Sequence, residues 1–265
     1  MKSIGKGYST TSAFCYISKV SNEKKIQLRE ILKNIKDLNK KSYLDVGSGV
    51  GDVFLDLSNH FEKSVGVEPG DKMFPILKER AKNKKTIKLY KNTWQEFYKK
   101  NKNKYDLITS IHSIYFFKDP KKEIKKMLSL LKNSGKLIIV CGDGSKLTKK
   151  EEKERFTTYF RHKFLGFDLS KRPYADIDKW FCNIKKYNLK CKLVLANLKF
   201  LETNHLSKES EATNHFFKFI FKKWWDEFTE KEKKELKDYL DVYLSKNKKQ
   251  YILVNNDQLI YIISK

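Results

Sequence analysis

The chain has 265 residues, 40% of them hydrophobic and 14% aromatic, and a formal net charge of +25. That apolar content fills the core of one domain with an elaboration and excludes a disordered chain. No run approaches the roughly 18 apolar residues of a membrane span, and the start has no apolar segment of signal length, so a soluble, cytoplasmic protein with no membrane association is expected; a monomer is the separate expectation for its assembly.

The charge leaves two readings open. Of the 57 basic residues only Arg29, Arg80, Arg155, Arg161 and Arg172 are arginine, the side chain whose planar fork best grips phosphates and bases. The lysines spread along nearly every predicted helix, as on a solvated surface. A net charge of this size also suits a polyanion such as RNA. The four cysteines (Cys15, Cys141, Cys182 and Cys191) form no C-x-x-C pair, and Cys141 and Cys191 lie in apolar runs where core positions are expected; no metal site is implied.

Residues 1–22 are polar, with Phe14, Tyr16, Ile17 and Val20 as apolar points. Apolar residues at helical spacing (Ile26, Leu28, Ile31, Leu32, Ile35) predict a helix from about Asn22 to Leu38. Ser42–Val46 reads as a strand, 52–61 as a helix and Lys63–Glu68 as a second strand. A helix over 72–82, a strand over 86–90 and a short helix over 93–98 come next. Tyr105–Ile111 is a fourth strand, and a helix from about Pro120 to Leu131 stops at Asn133-Ser134-Gly135 before a fifth strand, Lys136–Cys141. Beyond Gly144, 146–170 is charged and aromatic, 176–187 reads as a helix, 190–198 as a strand and 213–246 as two helices with Thr229 as an N-cap. Gln250–Val254 and Gln258–Ile263 read as a hairpin around Asn255-Asn256-Asp257.

Strand–helix alternation of this kind builds a doubly wound α/β sheet. The expected organisation is a substrate-covering segment and helix over 1–41, then a sheet domain over 42–265 with helical cap insertions at about 146–175 and 200–248.

The most informative stretch is Tyr43-Leu44-Asp45-Val46-Gly47-Ser48-Gly49-Val50-Gly51-Asp52, an apolar strand running into a glycine loop and then a helix. Such a loop lies at the carboxyl edge of the sheet, where open α/β sheets bind ligands. A dinucleotide fingerprint would place its third glycine one residue later. Three glycines at alternate positions, Gly47, Gly49 and Gly51, with Asp45 before them, resemble the first motif of the class I S-adenosylmethionine-dependent methyltransferases. The resemblance implies a Rossmann-like sheet, mostly parallel with an antiparallel terminal strand, and S-adenosyl-L-methionine as cofactor. Glu68, closing the second strand in Val65-Gly66-Val67-Glu68-Pro69, resembles the family's ribose ligand, since a carboxylate accepts from both ribose hydroxyls. The same resemblance places Met73, Trp94 (adenine contact) and Ile111 beside the cofactor. It covers about residues 43–141.

The segment after the fourth strand lacks the Asp/Asn-Pro-Pro-Tyr or Phe of enzymes that methylate base amines. His112-Ser113-Ile114-Tyr115-Phe116-Phe117-Lys118-Asp119 is instead similar to Gln-Met-Leu-Tyr-Tyr-Val-Lys-Asp of the histamine N-methyltransferase family. Ser21-Asn22-Glu23 and Asn255-Asn256-Asp257-Gln258 match that family's two ends. The resemblance implies N-methylation of a small amine or imidazole compound, with Glu23 binding the amine, His112 at the reacting nitrogen and Asn256 holding the substrate. The family carries an amide where this chain has His112, which implies a changed substrate or a changed proton route. Phe156, Tyr159, Phe160, Trp180, Phe216, Phe217, Trp224 and Trp225 are candidate pocket walls. The alternative function is RNA methylation using the basic surface.

Overall fold

A computed structural model describes residues 11–142, 163, 165, 177–181, 187–194, 197–202, 211–243, 245–247, 250–254 and 258–264. The chain forms two compact units. One comprises 24–144, 172–194 and 258–265, the other 1–23, 145–171 and 195–257.

The first unit is built on seven strands: β1 (Ser42–Val46), β2 (Lys63–Val67), β3 (Ile87–Tyr90), β4 (Tyr105–Ile111), β5 (Leu131–Gly142), β6 (Asn188–Val194) and β10 (Gln258–Ser264). Their spatial order is β3-β2-β1-β4-β5-β10-β6. The first five pair in parallel, and β10 runs antiparallel between β5 and β6. Alternate side chains serve opposite faces. Tyr43, Leu107, Ile138, Val140, Ile260 and Ile262 pack with Ile31 of helix α2 (Glu23–Asn34) and Ile35 just after it, Phe54 and Leu57 of α3 (Phe54–Ser58) and Leu77 of α4 (Met73–Ala81). Leu44, Ile108, Leu137, Ile139, Cys141, Tyr261 and Ile263 pack with Trp94 and Phe97 of α5 (Trp94–Lys100) and Ile124, Met127 and Leu128 of α6 (Pro120–Ser129). A sheet covered on both faces needs such continuous apolar strands.

Local chemistry sets the element ends. Asp119 caps α6 by accepting from the Lys122 N–H at 3.0 Å, with Pro120 in the first turn. Thr93 and Glu96 form a reciprocal capping box on α5.

The turn expected at Asn133-Ser134-Gly135 lies inside β5 as an irregularity. Tyr105 pairs with Leu131 and Leu107 with Lys136. Gly135 permits this because a Cβ there would stand 2.8 Å from the Tyr105 carbonyl oxygen.

Helix α7 (Ile177–Phe181) belongs to the first unit; the second contains helix α1 (Thr11–Val20), in a segment where the sequence predicts no helix, together with α8 (Glu211–Phe221), a 3₁₀ turn at Trp225–Glu227 and α9 (Glu230–Tyr243). The second unit's own antiparallel sheet has the order β7-β9-β8, from β7 (Asn197–Glu202), β8 (Ser245–Asn247) and β9 (Gln250–Val254). Thr229 does cap α9, with Glu232 returning the bond to its N–H at 2.8 Å.

Two strand expectations are corrected here. The run 190–198 divides between β6 and β7, which belong to different sheets, and β9 and β10 are not a hairpin but members of different sheets. The reason for the second is visible in β10, where Ile260, Tyr261, Ile262 and Ile263 are all buried. A strand apolar on both faces needs cover above and below, which an isolated hairpin cannot supply. Cys191 corrects a third expectation. Unlike buried Cys141 it is exposed, because β6 is the sheet's edge strand.

Candidate functional site

The carboxyl ends of the parallel strands gather the chemistry. After β1 the chain turns through Gly47, Gly49 and Gly51 at φ of +81°, +56° and +88°. These values lie in the left-handed region that glycine alone enters without strain. The loop docks on the end of β2, with the Gly47 and Ser48 N–H groups donating to the Val67 carbonyl at 2.8 and 3.1 Å.

The three glycines are required for different reasons. A Cβ on Gly47 would stand 2.4 Å from the Ser113 Cβ, and one on Gly51 would stand 2.6 Å from the Leu77 Cδ1. A Cβ on Gly49 would meet nothing within 4 Å among the described residues. Gly47 and Gly51 therefore serve internal packing, while Gly49 borders open space.

Glu68 is buried beside that space. Its Oε2 accepts from the Gly49 N–H at 2.8 Å and its Oε1 from the Gly70 N–H at 2.7 Å. Each oxygen retains a further lone pair for a ligand hydroxyl. Burial raises the Glu68 carboxyl above its usual range, against the two backbone N–H bonds.

Asp45 lies in β1 and is buried; the Thr109 hydroxyl donates to it and in turn bonds Tyr43 Oη at 2.8 Å. Burial pushes its carboxyl up to about 6, opposed by hydrogen bonds from Thr109 and Ser48. Met73 begins α4 half-buried, and Gly70 approaches it closely enough that a Cβ there would lie 3.5 Å from the Met73 Cβ. Trp94 is buried among Phe97 and Tyr98, and its Nε1 finds no hydrogen-bond partner among the described residues. Ile111 is half-buried against the α2–α4 face of the core.

His112 follows directly at the end of β4, at a φ of +52° with its N–H on the Val140 carbonyl at 2.8 Å. A non-glycine residue held there marks a strained turn. Ser113 seats the turn: its hydroxyl donates to the Val46 carbonyl at 2.5 Å and meets the Ser110 hydroxyl at 2.7 Å. The same residue limits the space at Gly47, so the His112 turn abuts the glycine loop.

Several side chains here escaped the sequence reading. The His112 ring bonds Gln27 through Nε2 and Tyr115 through Nδ1, each at 2.9 Å. Gln27 also bonds Gln258 at 2.7 Å. The signal for Gln27 was its place on the buried stripe of α2, four residues before Ile31 and eight before Ile35, where an amide is out of pattern. Gln258, Thr109 and Ser113 carried no comparable signal.

Of the substrate residues, Glu23 opens α2, with its N–H donating to Ser21 Oγ at 3.0 Å. Asn256 lies outside the described residues, as do Phe156, Tyr159 and Phe160. Phe216, Phe217 and Trp225 are not pocket walls but the core of the second unit, where Phe217 lies 5.0 Å from Trp225 and 5.6 Å from Phe221 between ring centroids. The apolar face of the amphipathic α8 is covered in this way within that unit. Trp180 packs against the core of the first unit and Trp224 is half-exposed.

This strand order, with a glycine loop after the first strand and a carboxylate after the second, defines a class I methyltransferase fold. Residues 21–165, more than half the chain, match a family model described as a methyltransferase domain. The chain belongs to this family of methyltransferase domains. The histamine N-methyltransferase of Danio rerio is 31% identical over 121 residues, 38% of this chain and 41% of that protein's length.

Similar solved structures agree on the fold. The YcgJ protein of Bacillus subtilis superposes with a TM-score of 0.59 at 12% identity, over 90% of this chain and 97% of that one. A putative methyltransferase from Bacillus halodurans gives 0.56 at 15%, with the same coverage. The plantazolicin methyltransferase BpumL, solved in complex with S-adenosylhomocysteine, gives 0.52 at 12%, over 99% and 94%. No helix among the described residues is long and apolar enough to cross a membrane.

Proposed function

We propose that the chain transfers a methyl group from S-adenosylmethionine to a nitrogen of a small amine or imidazole compound. The observation that carries this reading is the contact of the Ser113 turn with Gly47, which stands His112 beside the glycine loop. The partial likeness to a histamine N-methyltransferase supports the substrate class.

In this reading Gly49 and Glu68 hold the cofactor: the first leaves room for it, and the second receives its ribose hydroxyls on lone pairs not used by Gly49 and Gly70. Asp45, Gly47, Gly51, Met73 and Ile111 shape the same cradle, and the Trp94 Nε1–H is the donor left for the adenine. The bound cofactor supplies an activated sulfonium methyl, so the protein's task is alignment and exclusion of water. His112 orients the acceptor. Glu23 and Asn256 enter through the resemblance, as the carboxylate that attracts an ammonium group and the amide that holds the substrate.

The deciding experiment measures S-adenosylhomocysteine release over a panel of histamine, other amines, amino acids, phenols and total RNA. Turnover of an amine or imidazole compound, lost in Glu23→Ala and Asn256→Ala with cofactor binding retained, is expected. Methyl incorporation into RNA, with none into the amines, overturns the assignment.

A further inference from the structure

His112 is gripped from both sides of its ring. On one side Gln27 Nε2 lies 2.9 Å from His112 Nε2, and the same amide nitrogen donates to Gln258 Oε1 at 2.7 Å. On the other, Tyr115 Oη lies 2.9 Å from His112 Nδ1 and accepts from the Gly142 N–H at 2.5 Å. Gln27 and Gln258 are 0% and 2% exposed. The grip draws on α2, the end of β4, the 3₁₀ turn that follows it, the end of β5 and the start of β10.

The direction of these bonds follows from the amide. A glutamine nitrogen only donates, and it has two hydrogens. With one on Gln258 Oε1 and the other on His112 Nε2, that ring nitrogen is an acceptor. A neutral imidazole carries a single proton, which then sits on Nδ1 and is donated to Tyr115 Oη. Gln258 keeps the Gln27 nitrogen facing the ring.

We infer that Gln27, oriented by Gln258, is a positioning residue that fixes the rotamer and tautomer of His112, so that the ring acts on the methyl acceptor as a fixed polar wall and not as its proton acceptor. This rests on the reading that stands His112 at the reacting centre. It also bears on the imidazole that stands where the histamine N-methyltransferase family carries an amide: with its lone pair and its single N–H committed to Gln27 and Tyr115, the locked ring presents the acceptor with a fixed face and no free proton acceptor.

The test is ¹⁵N NMR of the ring nitrogens in the full-length chain at about pH 9, where imidazoles are neutral, with His112→Gln identifying the His112 signals. The wild type is expected to show a single Nδ1–H tautomer. A carboxylate accepts only, so Gln27→Glu is expected to reverse the ring to Nε2–H, whereas Gln258→Glu keeps the acceptor that Gln27 needs and leaves Nδ1–H in place. An Nε2–H or freely averaging ring in the wild type overturns the inference without any variant, as does a Gln27→Glu ring that stays Nδ1–H. Added S-adenosylhomocysteine separates the two ideas. It is expected to shift the His112 ring signals, and a locked ring that does not respond sinks the placement at the reacting centre while leaving the lock standing.

Discussion

Gly49→Ala isolates cofactor binding from folding. The residue has a φ of +56° and its added methyl meets nothing within 4 Å among the described residues. Its cost to the fold is therefore the left-handed backbone alone, about 1–2 kcal/mol, partly offset by the lower entropy of the unfolded alanine chain. That predicts a melting point lower by roughly 2–4 °C. The methyl projects into the space beside the Glu68 carboxylate, so S-adenosylhomocysteine must withdraw from the loop, and at least about tenfold weaker binding, 1.4 kcal/mol, is expected. Gly51→Ala is the control. Its φ is +88° and its methyl would stand 2.6 Å from Leu77 Cδ1 and 2.9 Å from Leu55 Cγ. Backbone strain plus overpacking then costs about 2–5 kcal/mol, read chiefly as lost stability. Isothermal titration with S-adenosylhomocysteine beside thermal unfolding checks both variants. A folded Gly49→Ala protein that binds as tightly as wild type would refute the assignment of that space to the cofactor.

Asp45 gives a signature in pH. Its carboxyl is raised from 3.8 to about 6 by burial. Between those values the folded chain holds a proton that the unfolded chain has released, so stability falls as pH rises through the window and levels off above it. A carboxyl raised that far contributes up to about 3 kcal/mol. Urea unfolding across pH 4–7 (roughly the span on either side of that window) should show this fall in wild type and a flatter profile in Asp45→Asn; parallel profiles would contradict it. At the end of α8, Lys222 has a φ of +65° and donates its N–H to Lys218 at 3.1 Å, a helix terminus suited to glycine. Lys222→Gly should raise stability by about 1 kcal/mol in thermal unfolding, and a lower melting point would count against the strain argument.

The parts of this protein legible in sequence are those where neighbours along the chain do the physical work. The Gly47-x-Gly49-x-Gly51 loop, Glu68 at the end of its strand, the Thr93 and Thr229 caps and the Asp119-Pro120 helix start each depend on residues within a few positions of one another. Strand pairing across long separations was less legible. Residues 250–263 have the local pattern of a hairpin, yet one half lies in the seven-stranded sheet and the other in the three-stranded one, because β10 has two apolar faces to cover. The aromatics of α8 and the turn after it resemble a pocket lining by composition and serve as core by location.

For the site itself, sequence alone determined the methyltransferase family, because backbone conformations open to glycine and a carboxylate at a strand end are local demands. It did not distinguish the three glycines, which only the neighbours Ser113, Leu77 and Leu55 and the open space at Gly49 separate. Nor did it reveal the surroundings of His112. Gln27 and Gln258 are 231 positions apart and meet through one hydrogen bond because α2 and the start of β10 converge on the end of β4. What that ring can offer a substrate is decided by partners distant in sequence, since the hydrogen bond at one nitrogen of an imidazole sets the state of the other.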